Sequence, residues 1–240
     1  MRVIATSDLH GFLPDPLDIP EADLLIIAGD IAPDHPIGMR ARYGLNDNGA
    51  AYQAEWLDGE FRRWLDRVIP RVKRVIAIWG NHDFVGEPNR FGVEPPALQR
   101  EVQFLNDETV EIDGVRIHGT PWVPGLPRWA FHGSEEFLQA RAESIPSDLD
   151  ILISHGPPYG TADFVAPQFG SLNVGDRALA GALGSLNPKL FICGHIHEQY
   201  GQHVDRDSGV PVWNVSYVDE NYVPGNAPFI INIDPAEPLA

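Results

Sequence analysis

The sequence predicts an α/β fold in which two packed, mixed β-sheets form a β-sandwich flanked by α-helices. Three features of the chain indicate this architecture. Short apolar runs rich in β-branched residues are typical of buried strands, amphipathic segments with helical spacing lie between them, and hairpin signals appear later in the chain. Because no internal repeat, low-complexity tract or linker interrupts this pattern, we expect one domain over residues 1–240.

Strands and a helix alternate in the first part of the chain. Three short apolar runs are predicted to be buried strands: Arg2–Thr6, Asp23–Ala28 and Arg74–Trp79. Apolar residues recur at helical spacing from Ala51 to Ile69, which predicts an amphipathic helix that Pro70 is expected to end. The polar segment Pro33–Asn48 is expected to form a long connection before this helix.

Hairpins and further strand–helix units follow in the second part. Asp113-Gly114 separates the predicted strands Thr109–Ile112 and Val115–Gly119, and this dipeptide favours a tight β-hairpin turn. Two helices are also predicted, one from an N-cap at Ser134 to about Ser144 and one over Asp176–Leu186. The remaining predicted strands are Gln103–Leu105, Asp150–Ser154, Lys189–Cys193, Val212–Val218 and Phe229–Ile233.

The charge balance disfavours two classes of partner. The chain carries 34 acidic and 17 basic residues, so its formal net charge is −17. A phosphate backbone or an anionic membrane surface would be repelled, which disfavours nucleic acid and membrane as partners, whereas metal cations are attracted. The apolar runs are too short to span a bilayer. The single Cys193 excludes a disulfide within the chain, and the first residues lack a signal-peptide pattern, so we expect a cytoplasmic protein.

Polar side chains follow five of the predicted buried strands at the point where each strand ends. These side chains are Asp8 and His10, Asp30, Asn81-His82-Asp83, His155, and His195 with His197. Each block alone is compatible with an ordinary turn or cap, but the carboxyl ends of strands in α/β sheets are where ligands bind. Five such blocks at one sheet edge therefore predict a metal site. Nitrogen and oxygen ligands without thiolate favour Mn, Fe or Zn over a pure Mg site.

The ordered blocks resemble the calcineurin-like metallophosphoesterase family. The family pattern is D-x-H, G-D, G-N-H-D/E, a single His and G-H-x-H, and all five blocks stand here in that order, from Asp8 to His197. The stretches SHGPP and GHIHEQYG, together with Thr120-Pro121-Trp122, resemble the branch of metallophosphoesterase-domain-containing proteins, which are relatives of class III cyclic nucleotide phosphodiesterases. The resemblance implies a β-sandwich flanked by helices and a two-metal site.

The resemblance also implies a role for each residue. The ligands implied for the first metal are Asp8, His10, Asp30 and His197, and those for the second are Asp30, Asn81, His155 and His195. Asp30 would thus bridge the two ions, which would hold a bridging hydroxide for attack on phosphorus. His82 is not a ligand in the family and would bind a phosphoryl oxygen or protonate the leaving group. Asp83 is expected to orient the other ring nitrogen of His82.

Several other residues attract attention but have ordinary explanations. His118 and Cys193 are expected to be packed in the core. The loop aromatics Trp122, Tyr159, Phe164 and Phe169 are expected to pack, although one or two could stack on a nucleobase. The nearest candidate cations for a phosphate are Arg40, Arg42 and Arg90.

The predicted activity is hydrolysis of a small, nucleotide-like phosphodiester. A phosphodiester is a monoanion, a phosphomonoester is mostly a dianion near neutral pH, and no Arg or Lys lies in the five blocks to balance the extra charge. The first alternative is a phosphomonoesterase acting on a protein, nucleotide or sugar phosphate. The second is a catalytically weak protein-binding scaffold, which would not need to retain His82 and every ligand residue.

Overall fold

Two β-sheets lie face to face in the computed structural model, which describes residues 1–34, 49–165 and 172–234. Most of the predicted Pro33–Asn48 connection, with Arg40 and Arg42, lies outside the described residues, as does Phe169. In chain order the strands are β1 (Arg2–Thr6), β2 (Leu24–Ala28), β3 (Arg74–Ile78), β4 (Val102–Phe104), β5 (Glu108–Ile112), β6 (Val115–Thr120), β7 (Val123–Pro124), β8 (His132–Gly133), β9 (Ile151–Ser154), β10 (Leu190–Cys193), β11 (Gly201–Val204), β12 (Pro211–Asn214) and β13 (Phe229–Asn232). The helices are α1 (Ala50–Trp56), α2 (Arg62–Val72), α3 (Pro88–Phe91), α4 (Glu135–Ser144) and α5 (Arg177–Leu186).

Each sheet has a parallel centre, with an antiparallel strand at one edge of the first sheet and at both edges of the second. Over the described residues, the first sheet has the order β13-β1-β2-β3-β4, and only β13 is antiparallel to its neighbour. The second has the order β11-β12-β10-β9-β6-β5, in which the edge strands β11 and β5 are antiparallel. The parallel strands of one sheet end at the same edge, so the residues that follow them are brought close together.

Alternation of side chains along the strands produces four layers. In β1, Val3 faces the second sheet and packs in a cluster that includes Ile153 of β9. Ile4 faces the other way, toward Phe61 and Leu65 on the helical layer that covers the first sheet. The outer face of the second sheet is covered by α4 and α5 through a third apolar cluster. The predicted α/β sandwich flanked by helices is therefore confirmed.

The first long helix differs from its prediction at both its middle and its end. A π-helical turn, Leu57–Phe61, joins α1 to α2. The predicted stop at Pro70 is wrong, because α2 continues to Val72 and the Lys73 N–H bonds the carbonyl of Ile69 at 2.9 Å. Proline removes one N–H donor in this last turn, while the buried Val72 still extends the apolar face of the helix.

Local turn and cap signals are confirmed where the sequence predicted them. Asp113 and Gly114 both have positive φ, at 50° and 82°, and connect β5 to β6 in an antiparallel hairpin. The Ser134 hydroxyl accepts the N–H of Phe137 and caps α4. Within the described ranges, no helix is long and apolar enough to cross a membrane.

Candidate metal centre

The five polar blocks meet where strands of both sheets end. Asp8 and His10 follow β1, Asp30 follows β2, Asn81 to Asp83 follow β3, His155 follows β9, and His195 and His197 follow β10. In the part of the chain that the structure describes, three groups have ligand atoms within 4.8 Å of one another: Asp8, His10 and His197; Asp30, His155 and His195; and His10, Asp34 and His82. The sandwich thus brings together residues that are up to 189 positions apart in the chain, from Asp8 to His197.

Sharp backbone turns direct these side chains toward one another. Asp8, His10, Asp30 and His195 have positive φ values of 52°, 43°, 50° and 69°. Non-glycine residues in this region cost of order 1–3 kcal/mol each, and such residues cluster at functional sites. The backbone at position 194 lies so close to Asp8 that it requires glycine, because a Cβ atom on Gly194 would overlap the Asp8 carboxylate.

The Asp30 carboxylate lies between two of the groups. Its Oδ2 is 3.8 Å from Nε2 of His10 and 3.2 Å from Nε2 of His155. Its Oδ1 accepts the backbone N–H of His82 at 2.8 Å, which holds the carboxylate in this orientation. Asn81 completes this side of the site, with its Oδ1 3.0 Å from Nε2 of His155. One carboxylate therefore faces both halves of the cluster.

Backbone carbonyls set the tautomers of two histidines. Nδ1 of His155 donates to the carbonyl of Ala28 at 2.9 Å, and Nδ1 of His197 donates to the carbonyl of Asp219 at 3.1 Å. Because a carbonyl can only accept, Nδ1 carries the proton and Nε2 is presented to the cluster. This arrangement is typical of metal-binding histidines, whose second nitrogen is held by a neighbouring acceptor.

Hydrogen bonds hold the Asp8 carboxylate from behind. The hydroxyl groups of Ser7 and Ser216 donate to Oδ2, the latter at 2.8 Å, and the N–H of His195 donates to Oδ1 at 3.0 Å. Oδ1 remains directed at Nε2 of His197, 3.3 Å away. Sequence reasoning missed Ser216. Its signal is only a serine two residues after β12, which has no recognisable pattern by itself.

The environment shifts the pKa values of the histidines in opposite directions. Burial lowers the pKa of His10 to about 4 and that of His195 to about 3. Burial also lowers the pKa of His155, but the Asp30 carboxylate outweighs it and raises that pKa to about 9. For His197, the hydrogen bond to Asp8 similarly overcomes burial and raises the pKa. In the metal-free chain, His10 and His195 are therefore neutral near neutral pH and His155 is cationic.

The donor set fits a metal ion. Both ring nitrogens of His10 are buried and have no hydrogen-bond partner among the described residues. A buried polar atom without a partner is costly, and a neutral imidazole nitrogen is a good metal ligand. The surrounding donors are imidazole nitrogens, carboxylates and one amide oxygen, the set expected for Mn, Fe or Zn.

The predicted pairing of His82 with Asp83 is wrong. Asp83 instead accepts the backbone N–H groups of Gly80, Ile31 and Ala32 at 2.8, 3.0 and 2.9 Å. Asp83 therefore links the block Asn81-His82-Asp83 to the backbone that follows Asp30. Burial, and after it repulsion from the Asp30 carboxylate, raises the pKa of Asp83 to about 7.

Asp34 occupies the position expected for Asp83. Its Oδ1 is 2.7 Å from Nδ1 of His82. Burial lowers the pKa of His82, but the carboxylates of Asp30 and Asp34 outweigh it and the net shift is upward. Sequence reasoning missed Asp34 because it was assigned to a polar connection, although it lies four residues after Asp30.

Most of the other singled-out residues have packing roles. The indole N–H of Trp122 donates to Asp107 at 2.8 Å, and the ring of Tyr159 is covered by the Arg177 guanidinium, 3.6 Å from its centroid. His118 is buried with Nδ1 2.8 Å from the Thr109 hydroxyl, and Cys193 is a buried free thiol. Phe164 is 44% exposed. Two aromatics that the sequence did not single out, Trp129 and Tyr222, lie against the histidines instead.

The family model for calcineurin-like phosphoesterases matches residues 1–199. The chain belongs to the calcineurin-like phosphoesterase family. Metallophosphoesterase domain-containing protein 1 of Homo sapiens and that of Mus musculus are each 30% identical over 255 residues, covering 97% of this chain and 71% of the relative. A UPF0046 protein of Caenorhabditis elegans is 29% identical over 84% of this chain and 65% of its own length. The predicted resemblance to this family and its branch is confirmed.

Solved structures share the calcineurin-like phosphoesterase fold at low sequence identity. One crystal structure, 19% identical, aligns with a TM-score of 0.61 and covers 89% of both chains. The protein TT1561 of Thermus thermophilus aligns with a TM-score of 0.50 at 15% identity, over 89% of this chain and 88% of its own. At these identities the similarity concerns the fold alone.

Proposed function

We propose that this protein is a dinuclear metal-dependent phosphodiesterase that hydrolyses a small, nucleotide-like phosphodiester. The observation that carries the proposal is the position of Asp30, whose carboxylate faces His10 on one side and His155 on the other. A carboxylate between two sets of nitrogen and oxygen donors is what a pair of adjacent cations requires. Membership of the calcineurin-like phosphoesterase family supports the reaction class.

The residues that would hold the metals fall into two sets that share Asp30. The first set is Asp8, His10, Asp30 and His197, and the second is Asp30, Asn81, His155 and His195. When bound, two Mn, Fe or Zn ions would stabilise charge on the phosphoryl oxygens and make a water-derived nucleophile available at neutral pH. The protein contributes the fixed orientation of these donors, through the hydrogen bonds behind Asp8, His155 and His197.

His82 is proposed to move a proton to the leaving group. Asp34 accepts the Nδ1–H of His82, so Nε2 is the nitrogen that faces away from this hydrogen bond and can hold the transferred proton. The raised pKa of His82 favours the protonated ring that an acid needs. Proton donation of this kind contributes about 10²–10⁴-fold to the rate when the leaving group is poor.

The charge distribution supports a diester over a monoester. The site already contains the carboxylates of Asp8, Asp30 and Asp34, and a dianionic monoester would gain most from an additional cation. Arg90, one of the candidate cations, donates instead to the carbonyls of Trp129 and Pro127 at 2.7 and 3.0 Å. It is therefore engaged in holding a loop.

A comparison of one leaving group in diester and monoester form tests the proposal. Metal-reconstituted protein is assayed with phenyl methyl phosphate and with phenyl phosphate at fixed metal and pH. We expect kcat/KM to favour the diester. A tenfold preference for the monoester, about 1.4 kcal/mol at the transition state, would overturn the diesterase proposal in favour of a phosphatase. Absence of turnover of either ester by fully metallated protein would favour a scaffold.

A further inference from the structure

We propose that Trp129 and Tyr222 form an aromatic slot beside His82 that binds a planar ring on the leaving group of the substrate. The proposal rests on the function proposed above, because proton donation by His82 sets the side of the site on which the leaving group lies. The rings of both residues contact the histidine cluster, yet neither residue belongs to the five polar blocks.

Trp129 is held against His82 by its backbone and by an aromatic neighbour. Arg90 donates to the Trp129 carbonyl at 2.7 Å, and the next residue, Ala130, donates its N–H to the carbonyl of Asn81 at 3.0 Å. The Trp129 ring centroid lies 4.1 Å from that of His82. Phe84 stacks on Trp129 with the two rings 21° from parallel. The half-buried indole is thus fixed next to the proposed proton donor.

Tyr222 approaches the cluster from a different loop. Its ring makes edge contacts with His10 at 4.8 Å and with His197 at 5.0 Å, and its centroid is 6.3 Å from that of His82. The loop is tied to the site, because the Asp219 carbonyl that accepts the Tyr222 N–H also accepts Nδ1–H of His197. Tyr222 nevertheless has a φ of 59° and remains 43% exposed. Core packing alone does not account for an exposed ring held in this backbone conformation.

The position of His82 identifies which part of the substrate meets these rings. If His82 donates a proton to the leaving-group oxygen, the atoms attached to that oxygen must pass the side chains that surround His82. Those side chains include an indole and a phenol, whose faces favour stacking on another flat, uncharged ring. The fitting chemical class is an aryl or nucleobase-bearing leaving group, in preference to a saturated one of the same size.

Binding of two non-hydrolysable ligands tests the slot without turnover. Benzylphosphonate and cyclohexylmethylphosphonate differ in the flatness of the ring, and their affinities for metal-loaded protein are measured by calorimetry. We expect wild-type protein to bind benzylphosphonate about tenfold more tightly, which corresponds to about 1.4 kcal/mol. Equal affinities would overturn the proposal. Ring preference without turnover of any ester would instead support the slot and contradict the hydrolytic function.

Substitutions assign the preference to the two residues. Trp129→Leu and Tyr222→Leu should each reduce the preference below about threefold, whereas Trp129→Phe should retain most of it. Trp213→Leu is the matched control, because Trp213 packs against Phe229 in the sheet and should not affect the preference. A full preference in either leucine variant overturns the two-residue slot.

A measurement on the wild-type protein does not depend on the folding of these variants. The ring protons of benzylphosphonate bound to the protein loaded with zinc, which is diamagnetic, should shift upfield in the NMR spectrum, because they would lie over the aromatic faces. A bound ligand without this shift would contradict the proposal.

Discussion

Asp34→Asn tests whether a carboxylate outside the sequence motifs orients the proposed acid. Asparagine keeps an oxygen that can accept the Nδ1–H of His82, so the 2.7 Å hydrogen bond can form again while the negative charge is lost. The pKa of His82 should fall, because the Asp34 carboxylate contributes to raising it. A general acid must be protonated to act, so as pH rises the activity of the variant should decline at a lower pH than the activity of wild-type protein.

The expected magnitude follows from the type of hydrogen bond and its exposure. A hydrogen bond to a charged group contributes about 1.5–3 kcal/mol and a neutral one about 0.5–1.5 kcal/mol, so the change removes roughly 1–1.5 kcal/mol. The Asp34 side chain is 53% exposed, and solvent screening places the effect at the lower end. A loss of about 1 kcal/mol corresponds to a fall in kcat of about fivefold.

The assay is the pH profile of kcat on an alkyl phosphodiester, whose leaving group needs protonation. A nitrophenyl diester is the internal comparison, because an activated leaving group needs little help and should be hydrolysed at the wild-type rate. Asp58→Asn, at an exposed ion pair with Arg62, is the matched control variant and should not change the profile. An unchanged profile for Asp34→Asn, or an equal loss on both esters, would refute the reasoning. Loss of bound metal in Asp34→Asn would contradict the positioning role and indicate that Asp34 is a metal ligand.

Four further outcomes are expected. Wild-type protein should contain close to two transition-metal ions and Asp30→Ala should lose most of both, since Asp30 is proposed to be shared; unchanged metal content by elemental analysis contradicts this. His82→Ala should retain both metals but lose at least ~10²-fold in kcat on an alkyl diester, and full activity there would remove His82 from catalysis. The pKa of His155 is raised to about 9 in the metal-free chain, so metal binding at pH 7.5 should release a proton, and metal affinity should increase as pH rises toward 9. The charged ring stabilises the metal-free fold fully below its unfolded pKa of about 6.5, and this stability should be lost as pH rises from there through about 9. Calorimetry in two buffers of different ionisation enthalpy that detects no proton release would contradict the assignment. Gly194→Ala should lower metal affinity and thermal stability because its Cβ meets Asp8, whereas Gly181→Ala in α5, with open space at its Cβ, should stabilise by about 0.4–1 kcal/mol; equal melting temperatures for the two variants would refute the packing argument.

Strand positions and turns were predictable because their causes are local. The run Arg2–Thr6 is a strand with the predicted bounds, and the Asp113-Gly114 turn produces the predicted hairpin. The helix end at Pro70 was not predictable from the same rules. Whether one lost hydrogen bond ends a helix depends on the packing of the residues beyond it, and Val72 is buried against the first sheet.

The sequence by itself determined which residues gather at the candidate metal centre. Each polar block directly follows a buried strand, and the parallel strands of one sheet end at one edge, so Asp8 and Asp30 of the first sheet could be placed together from local patterns. Packing of the two sheets brings His155, which follows β9 of the second sheet, to the same site. Tertiary structure decided which groups hold and surround them. Asp83 adjoins His82 in the chain, but its carboxylate accepts three backbone N–H groups instead. The hydrogen-bond partner of the His82 ring is Asp34, 48 residues away.

The hydrogen bond from Ser216 to Asp8 spans 208 residues, and Trp129 and Tyr222 reach the site from separate loops. Such contacts depend on where the packed sheets place loop residues that have no periodic or motif signal. For this reason the metal ligands could be proposed from sequence, whereas the positioning carboxylate and the aromatic slot required the fold.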